Sequence, residues 1–151
     1  MASNAGHLYA AECCGNVRYA LGAMAWRAGD REGAAAQWDA ALGLASGHPP
    51  AGAARLALSA DEERERLAPV WAARLSGLRS AGLSIDAAIA EAIPLVLSGD
   101  TAGAAAHVRQ ACADAPPGSQ GWLLPLDPLL QATAHEAEWS GALALIRTRA
   151  A

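Results

Sequence analysis

Leu21-Gly22-Ala23-Met24-Ala25-Trp26-Arg27-Ala28-Gly29-Asp30-Arg31-Glu32-Gly33-Ala34-Ala35-Ala36-Gln37-Trp38-Asp39-Ala40-Ala41-Leu42 is two helix-forming stretches divided by one Gly-Asp pair. A glycine just past a helix end takes the left-handed backbone that closes the outgoing helix. The aspartate after it caps the incoming one. Glu32 then falls in the first turn, where the helix dipole favours a negative charge. The stretch therefore predicts an antiparallel helix pair, from about His7 to Ala28 and from Asp30 to about Leu44. Gly15-Asn16 marks either a break or a restart within the first helix, with Asn16 as N-cap.

Working outward, the same spacing returns 70 residues later. Gly99-Asp100 aligns with Gly29-Asp30, Ala104 with Ala34, Val108 with Trp38, and Ala111 with Ala41. Ala92 matches Gly22, while Glu91 replaces Leu21. Between the two copies, Ser46-Gly47-His48-Pro49-Pro50 is read as a loop, with His48 a loop residue. A short helix follows at about Ala51 to Leu58. Ser59 or Asp61 then caps a longer helix ending near Arg79. Ser84 caps a helix from Ile85 to Leu97. Pro69 and Pro94 fall inside these stretches: Pro69 predicts a kink or two abutting helices, and Pro94 a bend. Pro116-Pro117-Gly118 is a break, and Trp122 to Pro128 is an apolar turn segment. A short helix near Leu129 to Thr133 and a last one from about Glu136 to Arg149 complete the reading, with His135 in the capping region.

Composition agrees. Alanine fills 41 of the 151 positions and leucine 19, whereas valine and isoleucine together supply 8 and phenylalanine none. Ala, Leu, Arg and Glu favour helix, and the β-branched and aromatic residues that a sheet protein needs are missing. A charged fraction of 17% and a mean hydropathy of +0.14 exclude a disordered chain. The bulky anchors are the leucines and Trp26, Trp38, Trp71, Trp122 and Trp139. All 11 basic residues are arginine and the net charge is -4. That balance argues against nucleic acid as a partner. Ile93-Pro94-Leu95-Val96-Leu97 is too short to span a bilayer, so no membrane association is expected. The three cysteines are an odd number, two of them adjacent. With no signal-peptide pattern in Met1 to Gly15, a reducing cytoplasm is the expected location.

Leu21-Gly22, Gly29-Asp30, Ala34, Trp38 and Ala41-Leu42 together resemble a tetratricopeptide repeat, a helix-turn-helix unit of about 34 residues. The resemblance covers residues 15–48. Arg18, Ala25 and Ser46 stand where the family has Trp, Tyr and the terminating Pro. It implies an all-α, right-handed antiparallel helix-pair solenoid of about eight helices in a single domain, residues 1–151. The clear unit would be followed by a degenerate pair at 49–81, a weaker unit at 84–117 and a terminal cap at 121–151. Gly121-Trp122-Leu123-Leu124-Pro125-Leu126-Asp127-Pro128-Leu129-Leu130 is similar to the closing segment of helical-repeat regions in bacterial multidomain regulators.

The family's partner groove is lined by one face of each first helix. Carried over by position, this gives Asn16, Tyr19, Ala23, Trp26 and Arg27 as partner-binding residues. The weaker unit gives Asp86, Ile89, Ile93, Val96 and Leu97, an apolar set more in keeping with a core. A groove that grips peptide carboxylates through lysine is not expected, since lysine is absent.

Catalytic chemistry is not visible. There is no phosphate-binding loop, and no Gly-x-Ser-x-Gly elbow. Glu136 and Glu138 diverge on a helix. His7 and Cys14 are two helical turns apart, but Cys13, Cys14 and Cys112 are better read as small buried apolar residues, and His107 and Cys112 do not share a face. The expectation is thus a non-enzymatic, regulatory or scaffolding module binding a peptide or protein, with no cofactor and no metal. The alternatives are a helical bundle holding a small apolar ligand or carrying a minor enzymatic role, and self-association into a homodimer through Leu and Trp faces.

Overall fold

In the computed structural model, which describes residues 3–45, 47–116, 121 and 123–150, the order of elements follows the positions of glycine, proline and aspartate. The α-helices are α1 (Ser3–Arg27), α2 (Arg31–Leu44), α3 (Pro49–Leu58), α4 (Asp61–Ser80), α5 (Ser84–Leu97), α6 (Thr101–Asp114) and α7 (Glu136–Ala150). One 3-10 turn, Leu124–Leu126, lies between α6 and α7, and no strand occurs among the described residues. The chain is all-α, with seven α-helices described rather than the eight expected. Ser46, Pro117, Gly118, Trp122 and the His7 side chain lie outside the described residues.

The two Gly-Asp turns are built alike. Gly29 and Gly99 have φ of 81° and 92°, a region that L side chains rarely enter. The Asp30 amide donates to the Ala25 carbonyl and the Gly29 amide to Trp26; Asp100 and Gly99 repeat this with Leu95 and Val96. Each aspartate then turns its carboxylate onto the next helix. Asp30 Oδ1 accepts the Gly33 amide at 2.8 Å, and Asp100 Oδ1 accepts the Gly103 amide at 2.8 Å. The glycine three residues on has a reason at both sites. A Cβ there would sit 2.0 Å from Asp30 Oδ2, or 2.1 Å from Asp100 Oδ2.

Packing follows chain order except at α4, past which α3 reaches α5. α1 lies on α2, α2 on α3, α3 on both α4 and α5, α4 on α5, α5 on α6, and α6 on α7. The core is thin and rich in methyl groups, with Ala34, Ala41, Ala51, Ala53, Ala54, Ala87, Ala90, Ala92 and Ala104 all fully buried. Trp38 and Trp139 are its largest anchors. Gly22 leaves the notch that Trp38 occupies, since a Cβ on it would meet the indole Nε1 at 2.3 Å. At the equivalent positions of the α5–α6 pair stand Ala92 and Val108, both fully buried. Bulk has been exchanged across the pair: a glycine opposes the tryptophan, and an alanine accompanies the smaller valine.

Several expectations are corrected. Helix α1 runs unbroken through Gly15-Asn16. Gly15 is there for close approach: its Cβ would fall 3.3 Å from the His48 ring and 3.4 Å from Ala45 Cβ. Residues 129–133 form turns rather than a helix, and Gln131 at φ 48° explains why no helix propagates. Neither Ser59 nor Asp61 caps α4, whose N-cap is Ala60, and the Ser84 hydroxyl is buried with no partner instead of capping α5. Pro69 lies within the continuous helix α4, so two abutting helices do not form there, and Pro94 lies within α5. Cys13 and Cys14 are exposed, and Cys112 alone of the three is buried. The Asp61–Arg66 stretch is a solvated helix face, as its alternating charges suggest.

Gly22→Ala is expected to destabilise the protein by about 1–3 kcal/mol through overpacking. In a Trp38→Val background the same change costs much less, because the notch is no longer filled. Urea unfolding of the four proteins reads this, and equal costs in both backgrounds would refute the exchange of bulk. Asp30→Ala and Asp100→Ala should each cost about 0.5–2 kcal/mol, the loss of one N-cap.

Candidate functional site

The site grows from two local features, a histidine that starts a helix and an aspartate that folds a turn. His48 precedes Pro49 and Pro50, which fit the first helical positions because they lack the amides a helix start leaves unpaired. Its Nδ1 accepts the Ala51 amide at 3.1 Å and so caps α3. That bond assigns the proton to Nε2, which donates to Asn16 Oδ1 at 2.9 Å. The ring is buried and lies 5.3 Å, centroid to centroid, from Tyr19. Burial lowers the His48 pKa below its ordinary value, which keeps the ring neutral at neutral pH.

Asp127 folds its own turn. Oδ1 accepts the amides of Leu129 and Leu130, each at 2.9 Å. The Tyr19 hydroxyl donates to the same carboxylate, 3.2 Å from Oδ1 and 3.1 Å from Oδ2. Two turns further along α1, Arg27 Nη1 donates to the Pro128 carbonyl at 2.6 Å. The 127–130 turn is thereby lashed to α1. Burial raises the Asp127 pKa above the ordinary carboxylate value, partly countered by the Leu130 and Leu129 amides and the Tyr19 hydroxyl. Burial, with the neighbouring Asp127 charge, also raises Tyr19 well above its usual value, so the phenol stays protonated and remains a donor.

Between these parts lies a cavity of about 690 Å³. Its walls are α1, the end of α2, the start of α3, α5 and the 123–128 segment. Asn16, Tyr19, His48, Asp86 and Asp127 give it polar groups, against apolar surface from Ala20, Pro50, Ile89 and Leu126. Asp86 Oδ2 is closed off from solvent and has no hydrogen-bond partner, and burial raises the pKa of its carboxyl.

The five residues expected to line a groove divide. Asn16 and Tyr19 reach the cavity, although Tyr19 is 4% exposed and serves the core as well. Ala23 is fully buried and does not present a binding surface. Trp26 is half-buried, 6.5 Å from Trp38 between ring centroids, with the Arg31 guanidinium 5.0 Å above its ring. Arg27 is exposed but committed to Pro128. Of the weaker set, Asp86 and Ile89 reach the cavity, Ile93 is fully buried, and Val96 and Leu97 pack against the core.

The sequence reading places His48 in a loop and Asp127 in an apolar turn segment, and assigns neither to a site. His-Pro-Pro ahead of an alanine run is a helix-start signal, and Asp-Pro-Leu-Leu carries the signature of an aspartate-capped turn. A second, shallower hollow of about 360 Å³ holds Arg79, Glu91 and His107. There Glu91 pairs with Arg79 and, at 2.9 Å, with His107. No three His, Cys, Asp or Glu side chains gather as a metal site among the described residues. Among those residues, no helix is long and apolar enough to cross a membrane. Comparison with protein-family models, with curated proteins and with solved structures finds no match to this chain.

Because Asp127 has a raised pKa in the folded protein, its contribution to stability is complete below the unfolded carboxylate value. It is lost as pH rises through the folded value. Asp127→Asn keeps an oxygen for both turn amides and removes the buried charge. Relative to the parent, the variant should gain in Tm as pH rises from about 4 to neutral. A pH-independent difference between the two melting temperatures would contradict this.

Proposed function

We propose that the chain is a tetratricopeptide-like helical-repeat domain without catalytic activity, which binds a peptide segment of a protein partner as a regulatory or scaffolding module. The observation that carries this reading is the make-up of the cavity wall. It takes residues from α1, α3 and α5, the first helix of each successive pair, as a concave groove in that family does. The two identically built Gly-Asp turns, 70 residues apart, support a repeated unit, and the chain-order packing of the helices supports their stacking. On this reading α3 and α4 are the degenerate pair, and α7 with the 121–135 segment is the cap. The binding residues are Asn16 and Tyr19 from the original set, joined by His48, Asp86, Ile89 and Asp127.

A second reading, a small apolar ligand in the same cavity, draws on its size and lining. Small-molecule pockets span about 300–1,000 Å³ and are mostly apolar. Native mass spectrometry of freshly purified protein separates the two, since a co-purifying small molecule favours the second.

The peptide reading is tested with Ala20→Trp, which places an indole in the cavity from a half-buried position on α1. Peptides selected on the parent protein from a phage-displayed random library should lose at least about tenfold in affinity, or about 1.4 kcal/mol, on this variant. An unchanged Tm is the control for folding. In the parent, amide NMR shifts on binding should centre on Asn16, His48 and Ile89. Undiminished binding to Ala20→Trp, with shifts elsewhere, would place recognition outside the cavity.

A further inference from the structure

Two hydrogen bonds of His48 depend on one tautomer of its neutral ring. Nδ1 accepts the Ala51 amide at 3.1 Å, and Nε2 donates to Asn16 Oδ1 at 2.9 Å. Uptake of a proton puts an N–H on each nitrogen. The bond to Asn16 survives, because Nε2 is still a donor. The bond to Ala51 does not, because two N–H groups then face each other. Ala51 carries the first amide of α3, since Pro49 and Pro50 have none. It is fully buried, so water cannot replace the ring as acceptor. A buried backbone amide calls for a partner. This one regains a partner only when the first turn of α3 moves toward water.

That first turn is a junction. α3 packs on α2, α4 and α5, and so joins the first helix pair to the later helices. His48, Pro49 and Pro50 also form part of the cavity wall. The groups that face the ring there are acidic or neutral. α1 presents Glu12, Asn16 and the Tyr19 phenol, α5 presents Asp86, the 123–128 segment presents Asp127, and the end of α2 presents Leu44 and Ala45. No arginine lines the cavity among the described residues, and Arg55 of α3 is paired with Asp39 and Glu63. The carboxylates favour a proton on the ring once it turns toward them, and burial opposes it. Burial is the larger influence and lowers the His48 pKa, partly countered by a backbone hydrogen bond. The folded value thus lies below the unfolded one of about 6.5. The contribution of His48 to stability is complete above the unfolded value and is lost as pH falls through the folded one.

We propose that His48 is a proton-operated joint: in mild acid Nδ1 gains a proton, the start of α3 is released from the ring, and the cavity wall built by His48, Pro49 and Pro50 gives way. The ring itself stays on α1 through Asn16, so the break falls between the first helix pair and α3. The joint works in the same way whatever ligand the cavity takes.

The test follows the nitrogen-15-labelled full chain by NMR from about pH 7.5 to about pH 5, across the ordinary histidine range. At the start the imidazole nitrogens should report the neutral ring with its proton on Nε2. The Ala51 amide shift should then move with the same midpoint as the ring nitrogens. Protection of the Ala51 to Ala54 amides against hydrogen exchange, relative to free-peptide rates at each pH, should fall at least about tenfold. The Asp100-capped start of α6, read at Gly103 and Ala104, should keep its protection. His48→Asn supplies the oxygen of a good N-cap and does not titrate, so the fall should be absent there. An equal fall in the variant would assign the effect to the carboxyls and overturn the joint. An Ala51 amide that does not follow the ring in the parent would overturn it too, and that comparison stands even where the variant does not fold.

Discussion

The contact of the Trp38 indole with the Gly22 notch sets the rest of the molecule in place. A tryptophan on α2 reaches past the surface of α1 only because Gly22 has no Cβ, and its Nε1 then donates to the Tyr19 carbonyl at 3.3 Å. That fixes how close α1 and α2 lie and the rotation of α1 about its axis. The rotation turns Tyr19 toward His48 and Asp127, and Asn16 toward His48. The cavity is thus a product of core packing in the first helix pair.

Alanine makes this geometry workable. Methyl-lined interfaces allow helices to approach closely, and the buried volume per residue is small. Such a core leaves little margin for large side chains, so Trp38 sits where a glycine receives it. Trp71 of α4 repeats the device on Gly52 of α3, whose Cβ would meet the ring at 2.3 Å. Among the described residues, the buried polar side-chain atoms without a partner are Ser84 Oγ, Asp86 Oδ2 and Trp139 Nε1.

Much of the helical order was legible in the sequence because the signals are local. Gly29-Asp30 and Gly99-Asp100 determine their turns within six residues, and the helix propensity of an Ala/Leu chain needs no tertiary context. Gly15 is misread because contacts distant in sequence decide it. It looks like a break until His48 and Ala45 are brought against it. Residues 129–133 are misread for a local reason instead: Asp127 takes up the amides of Leu129 and Leu130, two and three residues on, in a turn that helix propensity conceals. The site was half legible for the reason that applies to Gly15. Asn16, Tyr19, Asp86 and Ile89 follow from helix position, whereas Ala23 and Trp26 share that helix but face the α2 contact. His48 and Asp127 acquire their roles through partners 32 and 108 residues away, which no window of sequence displays.

The lashing of the 127–130 turn onto α1 also changes how the molecule can come apart. Helices that touch only their chain neighbours tend to open from either end, each on its own. Here the Tyr19–Asp127 and Arg27–Pro128 bonds join positions 108 and 101 residues apart. When α1 opens, the turn that leads into α7 loses its anchor, and when that turn lifts, two side chains of α1 lose their partners. Opening at the two ends is therefore coupled through these two bonds.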